Sequence, residues 1–550
     1  MRTYKEIVKN YILIYPYIYT NMQKIKGLKY MQLDYKKYLD KVKGCYTGKN
    51  IGGTLGAPFE CYRGVYNLDW FMQDITSPIP NDDVDLQLVW LAAVEREGRH
   101  IDSLVLAEYW ETYVSAQISE YGTSKNNFGM GILPPLSGYL RNENRNSNGA
   151  WIRMEIWACL CAGNPALAAN YAYYDACVDH SDEGVYAATF TAAVQAAAFF
   201  ESDREKLIEI GLSYIPEDCG VSRAVALIRQ CYKNGDDWKT ARKKLLIALP
   251  SSFGEMDGEW KGTSLVPACE KCPVQQKDED IPVAEHGYDA PAAIGIVLLG
   301  WYYGEGDFAK SVCLAVNCGE DSDCTAGTLG SILGIIAGES NLPEKWKNAC
   351  SQQIATCTLR TDNVFLPKTI PELCIRIARQ TPVVLQDYCY FDENGEYTIV
   401  PVAEFKYRKG AFRCNKHEDF WELLGEQGRT VRFHFRGLTV KVTYDDTRVS
   451  VEDGTEKTLK LTFVNNLYTP QYLKLRYLGI PETWEVKGGK EQCVGLEHWH
   501  GSSNVNSIDF SFTPHNLTSA KTEIVLEISV NGRGEKMYLP LTFFNGKCGA

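Results

Sequence analysis

Two short acidic clusters contain the residues best suited to chemistry. The first is Asp82-Asp83 and the second is Asp321-x-Asp323, and each stands where a helical pattern begins. Carboxylate oxygens are the ligands that hard cations such as Mg²⁺, Ca²⁺ and Mn²⁺ prefer. Acidic residues are also common at helix starts, where they cap free amide groups and interact favourably with the helix dipole. The first cluster taken alone therefore does not separate a metal site from a helix cap.

The second cluster is harder to explain as a solvated helix start. It leads into a nearly uncharged segment, Cys324 to Gly338, which is rich in small residues. Buried carboxylates are costly unless they pair with other groups or bind cations. Two such clusters could hold two ions and a bridging water. Glu60, which follows a run of small residues, is either a solvated acid or a further member of this site.

Three other motifs carry weaker signals. His180 lies between two predicted helices, where a lone histidine is more often a structural hydrogen-bonding residue than a catalyst. Cys269-x-x-Cys272 is a single pair without a second pair at zinc-finger spacing, so we assign it to a loop. His498-Trp499-His500 would point both imidazoles to one face of a strand, which is weak evidence for a metal. Phosphate-loop, dinucleotide and Gly-x-Ser-x-Gly signatures are absent from the sequence.

Hydrophobic periodicity predicts helices from about residue 34 to residue 365. The clearest are predicted over about 82–97, 164–177, 183–200, 291–303, 308–316 and 324–338. In the last of these, Gly330, Gly334 and Gly338 are four residues apart. This spacing predicts close packing against another helix inside an all-helical core.

The pattern changes after residue 365. Asn394-Gly395 predicts a hairpin, and from about Arg429 apolar residues alternate with polar ones. Short strands separated by turns are typical of an immunoglobulin-like β-sandwich. We therefore predict a leader at 1–33, a helical domain at 34–365, a connecting region with a hairpin at 366–428, and an accessory β-sandwich domain at 429–550.

Composition narrows the class of protein. The 550-residue chain is 45% hydrophobic, as expected of a folded globular protein, and its net charge of −12 makes nucleic acid an unlikely partner. Its 19 cysteines are scattered, which favours a reducing cytoplasmic compartment over a disulfide scaffold. The apolar run at 11–19 is too short to span a bilayer and has no signal-peptide pattern, so no membrane association is predicted.

Taken together and in order, these motifs resemble those of the ADP-ribosylglycohydrolase family, which includes the dinitrogenase reductase-activating glycohydrolases. The match extends over residues of about 40–365 and consists of a glycine-spaced helix followed by an acid, an acidic pair, an Asn-Gly-Ala-x-x-Arg segment, a histidine and a final acidic motif. The corresponding residues are Gly44, Gly48, Gly52, Gly56, Glu60, Asn81, Asp82, Asp83, Asn148, Gly149, Ala150, Arg153, His180, Asn317, Gly319, Asp321, Asp323 and Cys324.

The resemblance implies an all-α catalytic domain with a binuclear Mg²⁺ or Mn²⁺ centre. It implies a hydrolase that cleaves the glycosidic bond between the anomeric carbon of ADP-ribose and an acceptor. The metal ligands implied are Asn81, Asp82, Asp83, Asp321, Asp323 and Cys324. The catalytic base is expected to be Asp83, with Glu60 as the second candidate. The substrate-binding residues expected are Asn148, Gly149, Arg153, His180, Gly129 and Gly131, the last two from a glycine-rich segment that is either a pocket wall or a packed turn.

Two departures from the family pattern leave alternatives open. Asn81 and Cys324 stand where the family has threonines. An amide oxygen still coordinates a hard ion, whereas a thiol is a poor ligand for Mg²⁺. One metal is then weaker, absent or replaced by a softer ion. The substrate is an ADP-ribose conjugate or, alternatively, a plain sugar or nucleoside, and a non-catalytic ligand-binding member of the family is the third possibility.

Overall fold

The computed structural model describes residues 32–253, 280–362, 364–402, 428–445, 449–467, 469–498 and 504–546. Most of the predicted leader, the Cys269-x-x-Cys272 pair, Trp499 and His500 lie outside these residues. The described chain forms two compact units. The first contains the residues up to Lys125 and those from Arg141 to Val402, and the second contains Asn126–Leu140 and the residues from 428 onward.

Helices dominate the first unit, as the periodicity predicts. The α-helices are, in chain order, Tyr35–Gly56 (α1), Asp82–Glu97 (α2), Ser103–Tyr113 (α3), Ser119–Gly129 (α4), Leu136–Tyr139 (α5), Glu155–Leu160 (α6), Pro165–Ala176 (α7), Asp182–Ala198 (α8), Arg204–Leu212 (α9), Gly220–Asn234 (α10), Trp238–Ala248 (α11), Ala290–Tyr303 (α12), Phe308–Asn317 (α13), Ser322–Ala337 (α14), Glu344–Lys347 (α15) and Ile370–Leu385 (α16). The 3₁₀ helices are Ala57–Phe59, Trp151–Arg153, Glu339–Asn341 and Gln386–Tyr388. All six helices predicted most clearly are confirmed to within about two residues.

Local sequence accounts for where these helices begin. Asn164 caps α7 through its side-chain oxygen, which accepts from the Leu167 amide at 3.2 Å, and Pro165 occupies the first turn. Such a proline has a pre-set φ and lacks an N–H that would otherwise need a partner. The start of α7 can therefore be predicted from capping residues in the sequence, without knowledge of tertiary contacts.

Helices α1 and α14 pack together backbone to backbone along a stripe of small residues. A Cβ added to Gly44 would meet the Gly334 carbonyl, and one added to Gly48 would meet that of Gly330. Because numbers rise along one helix as they fall along the other, the two run antiparallel. The predicted close packing of the glycine stripe is confirmed, with Gly338 ending α14 at a φ of +78°. The C-terminal end of α1 consequently lies beside the N-terminus of α14, where Gly56 meets Ser322 and Asp323.

A helix that the periodicity did not single out completes this region. Helix α16 packs on α1, where the Tyr38 hydroxyl lies 2.6 Å from the Thr381 hydroxyl and 2.9 Å from the Cys159 carbonyl. The hairpin predicted at Asn394-Gly395 is confirmed as antiparallel strands Cys389–Phe391 (β4) and Tyr397–Ile399 (β5), joined at one edge by Leu33–Asp34 (β1). The predicted connecting region thus contributes a helix and a small sheet to the first unit.

Apart from Asn126–Leu140, which contains the end of α4 and all of α5, the second unit is built of strands, as predicted. These are Thr430–Phe435 (β6), Leu438–Tyr444 (β7), Ser450–Val451 (β8), Lys457–Asn465 (β9), Gln471–Leu478 (β10), Glu485–Val486 (β11), Glu491–Leu496 (β12), Val505–Thr513 (β13), Lys521–Val530 (β14) and Lys536–Asn545 (β15). They form two five-stranded sheets, of order β12-β10-β14-β15-β8 and β11-β13-β9-β7-β6. Leu461 and Leu526, from alternating runs in different sheets, are fully buried in one shared core. An immunoglobulin-like identity for this sandwich remains a prediction.

Two further observations concern the buried cysteines and the hydropathy of the helices. Cys159, Cys161, Cys177 and Cys313 are free and buried, as is typical of cysteines that pack as small hydrophobic residues. Within the described ranges, no helix is both long enough and apolar enough to cross a membrane.

Candidate metal centre and active site

Strand pairing brings the first acid of the site beside the last acidic motif. Tyr62–Arg63 (β2) pairs antiparallel with Gly319–Glu320 (β3), with Tyr62 opposite Glu320. Along the chain, β2 follows the C-terminal end of α1, and β3 immediately precedes α14. The pairing therefore holds Glu60, two residues before β2, next to Asp321, one residue after β3.

Glu60, Asp321 and Asp323 form a compact carboxylate cluster. One oxygen from each lies within 4.8 Å of the others. Asp321 and Asp323 are buried, Glu60 is half-buried, and Asp323 Oδ1 has no hydrogen-bond partner. Burial raises the pKa of Glu60 well above its usual value, and the charges of Asp82 and Asp321 raise it further. The pKa values of Asp321 and Asp323 are raised as well, mainly by burial. A cluster whose members all resist ionisation lacks a compensating positive charge.

The N-terminus of α2 supplies the acidic pair. Asn81 Oδ1 accepts from the Asp83 amide at 2.9 Å, so Asn81 caps the helix. Burial, followed by the charge of Asp83, raises the pKa of Asp82 to about 8. Asp82 belongs to neither of the two close ligand groups that the described acids and thiols form around Asp323. The roles of Asn81 and Asp82 as metal ligands stay predictions.

Asp83 has two close neighbours that reduce its freedom. Lys49 Nζ lies 2.7 Å from Asp83 Oδ2, and the Cys324 thiol donates to Asp83 Oδ1 at 3.2 Å. Asp83, Asp323 and Cys324 form a second group whose ligand atoms lie within 4.8 Å of one another. The structure therefore brings the two predicted acidic clusters together, with Asp323 common to both groups.

Lys49 is the main residue of this site that the sequence motifs did not single out. It is fully buried on α1 between Gly48 and Gly52, and it donates to the Ile152 carbonyl at 2.7 Å. Burial alone would lower its pKa, but the charges of Asp83 and Glu155 raise it above the ordinary value. The position of Lys49 was the available signal in the sequence, because a stripe of glycines packs closely on another helix and Lys49 lies within that stripe.

Asn148 connects the Asn-Gly-Ala-x-x-Arg segment to the acidic cluster. Its Nδ2 donates to Asp321 Oδ2 at 2.6 Å, and its Oδ1 accepts from Trp151 Nε1 at 2.9 Å. Gly149 follows in a tight place, where a Cβ would meet the carboxylate of Glu120 and the ring of His180. Asn148 is thus placed to hold one acid of the cluster in a fixed orientation.

Arg153 and His180 lie behind this segment in a buried ion-pair network. Arg153 bonds Asp179 at 2.6 Å and Asp175 at 2.9 Å, and it donates to the Gly149 carbonyl at 2.6 Å. His180 lies 2.9 Å from Asp179 Oδ1 through Nδ1 and 3.0 Å from the Ser147 hydroxyl through Nε2. Arg153 and His180 have no exposed surface and contact residues 147–149. The role of Arg153 and His180 in substrate binding stays a prediction.

The two other glycines predicted to bind substrate, Gly129 and Gly131, are assigned to the second unit. Gly129 ends α4 and Gly131 adopts a φ of +77°, both within Asn126–Leu140 of the second unit. A Cβ at either position would meet nothing within 4 Å. Their role in substrate binding stays a prediction.

Two further buried acids were not identified from the sequence. Asp85 accepts from the amides of Cys357 and Thr358 at 2.9 and 2.7 Å, which anchors that loop to α2. Asp289 accepts from the Ser252 amide at 2.7 Å, and burial raises its pKa to about 7, with Asp321 contributing. Both resemble ordinary helix-start acids in the sequence, which is why they gave no signal of their own.

The residues present suit a hard cation at the Glu60–Asp321–Asp323 cluster. Three carboxylates converge there, their pKa values are raised, and one buried oxygen has no partner. A divalent cation would supply the missing charge and accept that oxygen as a ligand. The Asp83–Asp323–Cys324 group suits such an ion less well, because a thiol replaces one oxygen and Lys49 already contacts Asp83.

Comparisons with known proteins add an independent finding. The family model described as ADP-ribosylglycohydrolase matches residues 34–380. A solved structure titled "ADP-ribosylglycohydrolase-related protein complex" is similar at 17% identity and a TM-score of 0.42, covering 63% of this chain and 99% of that one. A FixG-related protein from Vibrio parahaemolyticus is similar at 18% identity and a TM-score of 0.16, covering 20% of this chain and 98% of that one. Among the curated proteins, no match is found.

Proposed function

The chain belongs to the ADP-ribosylglycohydrolase family, whose model matches more than half of it, and from this premise we propose that it is a metal-dependent hydrolase. The bond cleaved is a glycosidic bond at an anomeric carbon, and the substrate is an ADP-ribose conjugate. The single observation that carries the metal dependence is the buried, unpartnered Asp323 Oδ1 within a cluster of three carboxylates.

The metal would be held by Glu60, Asp321 and Asp323, with Mg²⁺ or Mn²⁺ as the expected ion. When bound, such an ion orients sugar hydroxyls and makes a nearby water more acidic. Asn148 fixes Asp321 through its 2.6 Å hydrogen bond and so keeps one ligand oxygen directed at the cluster. The network of Arg153 and Asp179 behind residues 147–149 keeps Asn148 in place.

We assign the role of general base first to Glu60 and second to Asp83, which reverses the order expected from the sequence. Both oxygens of Asp83 are engaged, one by Lys49 and the other by the Cys324 thiol. Glu60 is half-buried, so water and substrate can reach it. A carboxylate has two oxygens, so one can face the cluster while the other accepts a proton from the attacking water.

A second candidate function rests on Cys324. Its thiol donates to Asp83 where the family has a threonine oxygen, so the ligand set differs from the family pattern. This difference favours a relative that acts on a plain sugar or nucleoside, or one that binds a ligand without turnover. The four aspartates of the two acidic clusters are all present and argue against the non-catalytic alternative.

One set of assays separates these functions. Purified protein, stripped with EDTA and reloaded with Mg²⁺ or Mn²⁺, would be tested on ADP-ribosyl-arginine, ADP-ribosyl-serine, nucleosides and aryl glycosides. We expect metal-dependent release of ADP-ribose, abolished in Asp323→Asn and retained in Asp69→Asn, a control at an exposed aspartate. Turnover of only the nucleosides or aryl glycosides would favour the second function. No turnover of any substrate, with no metal bound by elemental analysis, would rule out both enzymatic proposals.

A further inference from the structure

A lysine ammonium group lies inside the acidic site. Lys49 Nζ is 2.7 Å from Asp83 Oδ2 and 3.7 Å from Glu155 Oε1, and all three side chains are almost completely buried. The ammonium also donates to the Ile152 carbonyl at 2.7 Å and lies 3.5 Å from the Thr328 hydroxyl. These contacts involve four different residues, so the charge of Lys49 is held in place beside Asp83.

The two ligand groups around Asp323 differ in what they offer an ion. Glu60, Asp321 and Asp323 present three carboxylates, and the structure places no cationic side chain in hydrogen-bond contact with them among the described residues. In the Asp83–Asp323–Cys324 group, by contrast, Asp83 already has a cation on one oxygen and a thiol donor on the other. A divalent ion bound there would displace the thiol hydrogen bond and lie close to a fixed like charge.

We propose that the ammonium group of Lys49 takes the place of a second divalent cation, so that the active site holds one ion, at Glu60, Asp321 and Asp323. The proposal rests on the metal dependence proposed above and specifies the number of ions. Lys49 supplies permanently the positive charge that Asp83 needs in the buried site. One ion at the three-carboxylate cluster then supplies the charge that the remaining acids lack.

Metal stoichiometry tests the proposal without reference to activity. Metal-free protein would be titrated with Mn²⁺, with bound ion counted by electron paramagnetic resonance and by elemental analysis after desalting. We expect one Mn²⁺ per wild-type chain and a spectrum without the exchange coupling of a two-manganese centre. Two ions per chain would overturn the Lys49 proposal and leave the metal-dependent function intact. No bound ion would overturn the metal-dependent function itself, and the Lys49 proposal with it.

A pair of variants on one helix assigns the effect to Lys49. In Lys49→Met, Asp83 loses its cation and a second Mn²⁺ is expected to bind, raising the stoichiometry from one to two. The matched control is Lys41→Met, because Lys41 also lies on α1 but donates to the Ile335 and Ile336 carbonyls. The control is expected to keep one ion. A folded Lys49→Met protein that still binds one ion would refute the proposal, and if that variant fails to fold, the wild-type count decides.

Discussion

At the scale of single residues, the contacts of a carboxylate indicate its role better than its place in a motif. Asp83 and Glu60 are both acids of the family pattern, but Asp83 is fully buried between Lys49 and Cys324, whereas Glu60 is half-buried. A group already engaged on both oxygens is poorly placed to accept a proton from water. The difference makes Glu60 the better candidate for the base.

Glu60→Gln tests this assignment. The amide keeps an oxygen for the cluster but cannot accept the proton, so kcat should fall by about 10²–10⁴-fold, the usual contribution of a general base. Because Glu60 is half-buried, the melting temperature should change little. The measurement is kcat at saturating Mn²⁺, with the exposed Glu285→Gln as control, which should match wild type. A Glu60→Gln enzyme with wild-type kcat would exclude Glu60 as the general base and make Asp83 the better candidate.

The buried network behind the site makes a prediction about acid stability. Burial alone would raise the pKa of Asp179, but Arg153 and His180 hold it below the usual value. A carboxyl with a lowered folded pKa stabilises the fold fully above its unfolded pKa of about 4, and this stabilisation is lost as the pH falls through the folded value. Asp179→Asn removes one partner of a buried ion pair and should cost about 3–5 kcal/mol at pH 7.

Urea unfolding at several pH values measures that cost. The difference between Asp179→Asn and wild type should be present at pH 7 and should shrink below about pH 4. The exposed Asp387→Asn serves as control and should stay close to wild type throughout. A difference that is independent of pH down to pH 3 would mean that the Asp179 charge contributes nothing to stability.

At the scale of elements, the antiparallel pair α1 and α14 determines where the acids meet. Gly48 and Gly330 face each other so closely that a Cβ on either would meet the backbone of the other helix. Backbone atoms cannot rotate away as a flexible side chain can. The spacing of glycines was legible in the sequence, and it predicted close packing, but it did not name the partner helix.

Gly48→Ala should therefore destabilise the first unit. Overpacking of this kind typically costs about 1–3 kcal/mol, and here the neighbour is a carbonyl with little room to move. The control is Gly129→Ala, also helical but assigned to the second unit, where a Cβ would meet nothing within 4 Å and alanine should be neutral or mildly stabilising. Equal free energies of unfolding for the two variants in urea would show that the helices separate easily.

Elements that rest on long-range contacts could not be predicted in the same way. The capped helices were predictable because their signals lie within a few residues. Helix α16 was not singled out, and its buried face packs on α1, which lies more than 300 positions away, as in the pair Tyr38 and Thr381. The pairing of Lys49 with Asp83 likewise depends on how α1 and α2 meet. Local patterns fix helices and strands, whereas pairings across the chain depend on tertiary packing.

At the scale of the whole molecule, the alternation of apolar and polar residues from about Arg429 correctly predicted a strand-built region, because alternation and helical repeats are distinct patterns. The order of the strands within each sheet could not be predicted from the sequence. Strand β8, for example, pairs parallel with β15, almost 100 residues later. The sequence also did not indicate that Asn126–Leu140 groups with the second unit. Non-local pairing of this kind leaves no periodic trace in either partner.

The two units have separate cores, and only the first contains Glu60, Asp321 and Asp323, so a bound metal should stabilise one unit and not the other. Calorimetry of wild-type protein should show two transitions, of which Mn²⁺ raises one; at 100 times Kd, linkage predicts about 2.7 kcal/mol for that unit. Leu526→Ala, which removes a fully buried side chain of the β core, should lower only the other transition, by a cost of about 2–5 kcal/mol. Asp323→Asn should abolish the response to Mn²⁺ and leave the β transition in place. A single transition that moves as a whole in all three experiments would show that the units unfold as one, and stability could then not be assigned to either core.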